Sequence, residues 1–145
     1  MANYVSNWRA PTAPADLLGS SGAEITLGTT YTGGSTSAEV EISGSKYLML
    51  YVYCTALGGA GRLDLQLEVT EFSGSSDWVP LQTESVSSGT ATQDPYEIQK
   101  AVTATGLVLA AAIPVRGFDY WRIKMKADAG TPEVYVRYAT SGGPV

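Results

Sequence analysis

A chain of 145 residues carrying 14 acidic and 9 basic side chains, a net charge of −5 and no histidine can bury one core, and it lacks the basic field that general nucleic-acid binding requires. The missing histidine removes the commonest general base and the commonest metal ligand together. Ser/His/Asp and Cys/His catalytic sites are thereby excluded, and zinc is left without ligands.

The single cysteine, Cys54, can form no internal disulfide and, inside an apolar run, reads as a buried, inert thiol. No apolar run approaches the ~20 residues of a membrane helix, and the N-terminus lacks the basic and apolar regions of a signal peptide, so a soluble protein not exported by that route is expected. The charge is uneven. Residues 1–100 hold 11 acids and 4 bases, giving −7, and residues 101–145 hold 3 acids and 5 bases, giving +2.

Residues 1–22, MANYVSNWRAPTAPADLLGSSG, have no periodicity and are broken by Pro11, Pro14, Gly19 and Gly22. Tyr4, Val5, Trp8, Leu17 and Leu18 make the stretch too apolar for a free tail. It reads as an extended arm that folds back on its own domain or reaches another subunit. A sandwich domain over 23–145 follows.

Short strands separated by Gly/Ser/Thr clusters then succeed one another. Ile25 and Leu27 mark the first, and Ala38, Val40 and Ile42 alternate with polar residues in the second. Lys46–Thr55 differs, because both of its faces are apolar: Tyr47, Met49, Tyr51 and Tyr53 on one, Leu48, Leu50, Val52 and Cys54 on the other. Such a strand is expected to be covered on both sides, its tyrosine face by an arm, a loop or a neighbouring subunit. That face is the candidate oligomer interface.

The GlyGlyAlaGly run after Leu57 opens no helix and carries no phosphate-loop lysine, so it reads as a hairpin connection. Leu63, Leu65, Leu67 and Val69 then point inward, with Asp64, Gln66, Glu68 and Thr70 outward. Trp78, Val79 and Leu81 form a short strand that Pro80 places at an edge or bulge. Residues 84–95 read as a polar surface loop. Tyr96, Ile98 and Lys100 share one strand face, and Leu107–Ile113, uniformly apolar between Gly106 and Pro114, reads as a buried strand.

In Phe118–Thr140, Trp121, Ile123 and Met125 alternate with Arg122, Lys124 and Lys126, and Val134, Val136 and Tyr138 with Tyr135 and Arg137. With Gly130 and Pro132 in the turn, the stretch reads as a β-hairpin lining one side of the core. The cation face reads as solvated or as docking on an acidic surface. About eight or nine strands with regular turn signals predict an all-β fold, an antiparallel β-sandwich of jelly-roll or related Greek-key type with an extended N-terminal arm.

Little chemistry is written into this pattern. Inward strand positions are apolar, which argues against a glycosidase carboxylate pair and points to no enzyme activity. Asp77, Asp94 and Asp128 lie in loops without calcium-ligand spacing. No metal or cofactor is expected.

The arm NYVSNWRAPTAPADLL, the Gly/Ser/Thr-punctuated strands and the closing pair YWRIKMKADAGTPEVYVRYATSG make the chain resemble the capsid decoration (cement) proteins of tailed bacteriophages. The resemblance implies a non-enzymatic virion protein, made in the host cytoplasm, that binds the outer capsid surface and clamps neighbouring major capsid subunits. It also implies a homo-oligomer, trimeric by preference, that contacts neither nucleic acid nor membrane. Tyr4, Trp8, Arg9, Pro11 and Pro14 would touch the shell or a sister subunit. The alternative is a glycan-binding sandwich module of a phage fibre or tail or of a carbohydrate-binding protein, with Trp78 and Tyr96 as the sugar platform.

Overall fold

A computed structural model of the chain describes residues 12–31, 36–42, 45–115 and 118–141, without the side chains of 83–85. The described residues form strands and no helix: β1 Ala15–Leu18, β2 Ile25–Thr26, β3 Val40–Glu41, β4 Tyr47–Ala56, β5 Arg62–Thr70, β6 Val79–Pro80, β7 Gln82–Ser87, β8 Thr90–Pro95, β9 Glu97–Ala101, β10 Gly106–Pro114, β11 Tyr120–Ala127 and β12 Glu133–Ser141. One sheet runs β1-β12-β4-β10, with β2 also on β12; the other runs β3-β11-β5-β6, with β9 also on β5. Every pairing is antiparallel. The two sheets pack as a β-sandwich.

Period-two alternation decides what fills the space between them. Leu48, Leu50, Val52 and Cys54 of β4 and Val134 and Val136 of β12 are buried on one side; Leu63, Leu65 and Leu67 of β5 and Trp121, Ile123 and Met125 of β11 are buried on the other. Trp121 also satisfies its indole N–H, which donates to the Phe118 carbonyl at 3.0 Å. Burial pushes the Cys54 thiol up from its ordinary pKa, and its Sγ donates to the Ala56 carbonyl at 3.3 Å.

The closing stretch is not a hairpin. β11 belongs to one sheet and β12 to the other, so Trp121, Ile123 and Met125 face Val134 and Val136 across the core. The Gly-rich link from β4 to β5 likewise crosses between sheets. The two crossings lie against each other: Thr131 N–H donates to the Gly58 carbonyl at 3.0 Å, and a Cβ on Gly130 would overlap that carbonyl. Gly58 and Gly130 both have positive φ, 58° and 71°. Turn composition and strand pattern are the same for a hairpin and for such an arch, which is why periodicity misassigns both.

Two further readings change. Leu107–Ile113 is strand β10, as expected, but at the open end of its sheet, with Leu107 53 % exposed and only Ile113 fully buried. An apolar run lacks the alternation that would reveal an edge. Residues 84–95 are not an irregular loop: β7 and β8 pair along their whole length as a ribbon outside both main sheets. Ser88 and Gly89, at φ 50° and 78°, turn the ribbon, as a two-residue hairpin of matching twist requires. The segment 1–22 read as arm includes β1, where Leu17 and Leu18 enter the core while Asp16 pairs with β12.

The stacked arches carry two expectations. Replacing Gly130 by Ala should cost about 1–3 kcal/mol through positive φ plus the overlap with Gly58, while Gly89→Ala, which meets nothing within 4 Å, should cost less; urea denaturation of both variants measures the difference. Asp128 Oδ1 accepts from the backbone N–H groups of Gly61 (3.0 Å) and Arg62 (2.9 Å), and these bonds hold its pKa below the ordinary value. Its stabilisation should therefore be complete above about pH 4, the ordinary aspartate value, and fade as pH falls through the lowered folded value. Wild type and Asp128→Asn should differ in denaturation midpoint at neutral pH and converge in acid.

Candidate interaction face

The two outer faces of the sandwich differ in kind. On the β11–β5 sheet, Asp64 and Glu68 project outward yet are 0 % and 3 % exposed. Glu68 sits between Arg122 (Nε 2.7 Å) and Lys124 (Nζ 3.3 Å), and Asp64 between Arg62 (Nε 2.7 Å) and Lys126 (Nζ 4.0 Å). Cross-strand register explains the pairing, since Arg122 lies opposite Glu68 and Lys126 opposite Asp64.

Aromatic rings close the row from outside: the Arg122 guanidinium lies 4.6 Å from the Trp78 ring centroid and Lys126 Nζ 4.7 Å from that of Tyr31. Tyr31 Oη donates to Glu97 Oε1 at 2.6 Å, and burial together with this carboxylate raises the phenol pKa. The cation stripe read from the sequence thus meets acids of its own sheet.

The β12–β4–β10 sheet presents the opposite chemistry. Register places Tyr135, Tyr53 and Leu107 in one cross-strand row; Arg137, Tyr51 and Ala110 in the next; then Ala139, Met49 and Ala112; then Ser141, Tyr47 and Pro114. Tyr53 and Tyr135 stack at 4.6 Å with planes 5° apart. Tyr47 is 43 % exposed, Met49, Tyr51, Tyr53 and Tyr135 are half-buried, and Ala110, Ala112 and Pro114 are exposed. All four residues proposed from the sequence therefore lie on one face. Tyr135 joins them, as its outward phase in β12 indicated; Leu107, Ala110 and Ala112 could not be phased in a uniformly apolar run.

The described part of the arm borders this face. Thr12 N–H donates to the Thr140 carbonyl at 2.9 Å, and Thr140 N–H donates to Thr12 Oγ1 at 2.9 Å. Arg137 Nη2 donates to the Pro14 carbonyl at 3.0 Å, and its Nε lies 3.5 Å from Asp16 Oδ1. From Thr12 onward the arm docks on its own sheet. Pro14 is exposed beside Tyr51, Tyr53 and Arg137 around a depression of about 210 Å³. A second depression, about 390 Å³, lies between Asp16, Ser20, Ser21, Tyr53, Tyr135 and Arg137. Tyr4, Trp8, Arg9 and Pro11 lie outside the described residues.

Neither sugar-platform candidate offers an open ring. Trp78 is half-buried, donates its indole N–H to the Ser75 carbonyl at 2.9 Å and carries Arg122 on its ring. Tyr96 packs against the core. Among the described residues, no three His, Cys, Asp or Glu side chains cluster as metal ligands, and no helix is long and apolar enough to cross a membrane. A further depression, about 440 Å³, mixes Phe72, Val79 and Phe118 with Glu71, Asp77 and Asp119. No protein family matches this chain, and no curated protein and no solved structure matches it either.

Proposed function

We propose that this chain is a non-enzymatic structural protein of a tailed-bacteriophage virion, which binds the outer capsid surface and clamps neighbouring major capsid subunits. The observation that carries the reading is the open tyrosine face of the β12–β4–β10 sheet. Tyrosine and methionine are favoured at protein interfaces, tyrosine because it buries a large area at small cost in conformational entropy and methionine because it adapts its shape. Here they stand on rigid strands, so little further ordering is needed on binding.

The strand path supports the same reading. The orders β1-β12-β4-β10 and β3-β11-β5-β6, with β9 also on β5 and the chain crossing between sheets after β2, β3, β4, β9, β10 and β11, favour a jelly-roll reading of the sandwich, a scaffold common in capsid architecture. A decoration protein repeated over a symmetric shell gains from multivalency, so modest contact per copy suffices.

The test is co-sedimentation with empty phage heads. Tyr51→Ser/Tyr53→Ser should keep the fold, since both side chains point away from the core, and should weaken capsid binding at least ~10-fold, the effect of losing one interface hot spot. Deleting residues 1–11, which leaves Thr12 and β1 in place, should weaken it as well. Undiminished binding by the tyrosine variant would remove the face from the proposal.

A second reading, glycan binding, is favoured by the depression that sets stacked Tyr53 and Tyr135 beside Asp16, Ser20, Ser21 and Arg137. Aromatic rings beside hydrogen-bonding groups suit a sugar. It predicts glycan-array signal that Tyr135→Ala abolishes and Trp78→Ala spares, and a blank array would dismiss it.

A further inference from the structure

A β-sheet edge exposes unpaired N–H and C=O groups and invites another strand, so sheets protect their edges with short strands, charges, prolines or bulges. Three of the four edges of the two main sheets are protected. β1 has four residues, a register shift and Asp16; β3 has two residues; on the remaining edge β6 contains Pro80 and β9 carries Glu97 and Lys100. β10 is the exception. It is nine residues long, Gly106–Pro114, with no charged side chain, and no strand lies on its outer side among the described residues. Its register shift falls between Leu107 and Leu109, and the partners of Leu109 through Pro114 then run without interruption along β4.

We propose that β10 is a self-association edge: two copies of this chain pair their β10 strands antiparallel about a two-fold axis and join their sheets into one. A strand is the only occupant whose hydrogen-bonding pattern complements an open edge along its length. Antiparallel self-pairing is the arrangement a two-fold axis imposes. The sequence LVLAAAI suits meeting itself, because no like charges are brought together and Ala110, Ala111 and Ala112 leave room on both faces for the partner's side chains. Leu107, 53 % exposed, would be covered. The tyrosine faces of the two copies would then continue into a single surface, doubling the contact available for a larger partner. The pairing needs no capsid, so it stands or falls separately from the proposed function.

The full chain is examined by sedimentation equilibrium and hydrogen exchange over a range of concentrations. The expected result is a species of twice 15.2 kDa, with the amides of 109–114 protected in step with dimer formation. Ala110→Lys and Ala112→Lys, both at exposed positions, place edge-blocking charges on β10. Each should keep the wild-type circular dichroism, raise the dimer dissociation constant at least ~100-fold and return fast exchange to alternate β10 amides. If a variant fails to fold, the concentration dependence of β10 exchange in the wild type decides. The proposal is overturned by a monomer at all concentrations, by a three-fold species, or by a dimer that survives both folded variants. A dimer lost on removing residues 1–11 while β10 amides exchange freely would show that the arm, and not the edge, joins the copies.

Discussion

The sandwich depends on a place where two backbones touch. At one end of the molecule the β4–β5 link and the β11–β12 link cross between the sheets side by side, and Thr131 N–H bonds the Gly58 carbonyl. Only a residue without Cβ fits at Gly130, where the approach is closest and φ is positive. Asp128 ties down the start of β5 through two backbone N–H groups. These contacts set the spacing and register of the four central strands. Once β4 lies beside β12 and β5 beside β11, the rows of Leu, Val, Ile and Met side chains meet across the core without further instruction.

The two outer faces follow from what those central strands carry. Charges on β5 and β11 are matched by register into a nearly closed row, Arg62–Asp64–Lys126 and Arg122–Glu68–Lys124, with Trp78 and Tyr31 laid over it. Each buried carboxylate has two cationic neighbours, so desolvation is offset locally. β4 and β12 carry tyrosines instead, and two of these stack on each other. Stacking covers part of each ring but leaves the row Tyr47–Met49–Tyr51–Tyr53 open along the strand. One side of one sheet thereby presents a row of uncharged side chains, Tyr47, Met49, Tyr51 and Tyr53, with the uncharged β10 edge beside it.

Much of this was legible in the sequence, for a physical reason that also marks its limit. Alternation reports which way a side chain points relative to its own strand, so the buried sets of β4, β5, β11 and β12 could be named residue by residue, and the tyrosine row could be recognised as a second apolar face. Pro80 marked an edge or a bulge because proline cannot donate to a ladder, and β6 lies at an edge. The β7–β8 ribbon escaped because polar strands paired only with each other have no hydrophobic pattern to report.

What the sequence by itself determined is therefore the central strands of the two main sheets, the facing of their side chains and the all-β class, all of which follow from local geometry. Which strands become neighbours was decided only by the tertiary structure, because pairing is a long-range choice that periodicity does not encode. That choice turned two expected hairpins into arches and an expected buried strand, β10, into an exposed edge. It also turned an outward row of opposite charges into an ion network around two buried carboxylates. The tyrosine face kept the position its alternation gave it, and gained from the fold an open edge alongside.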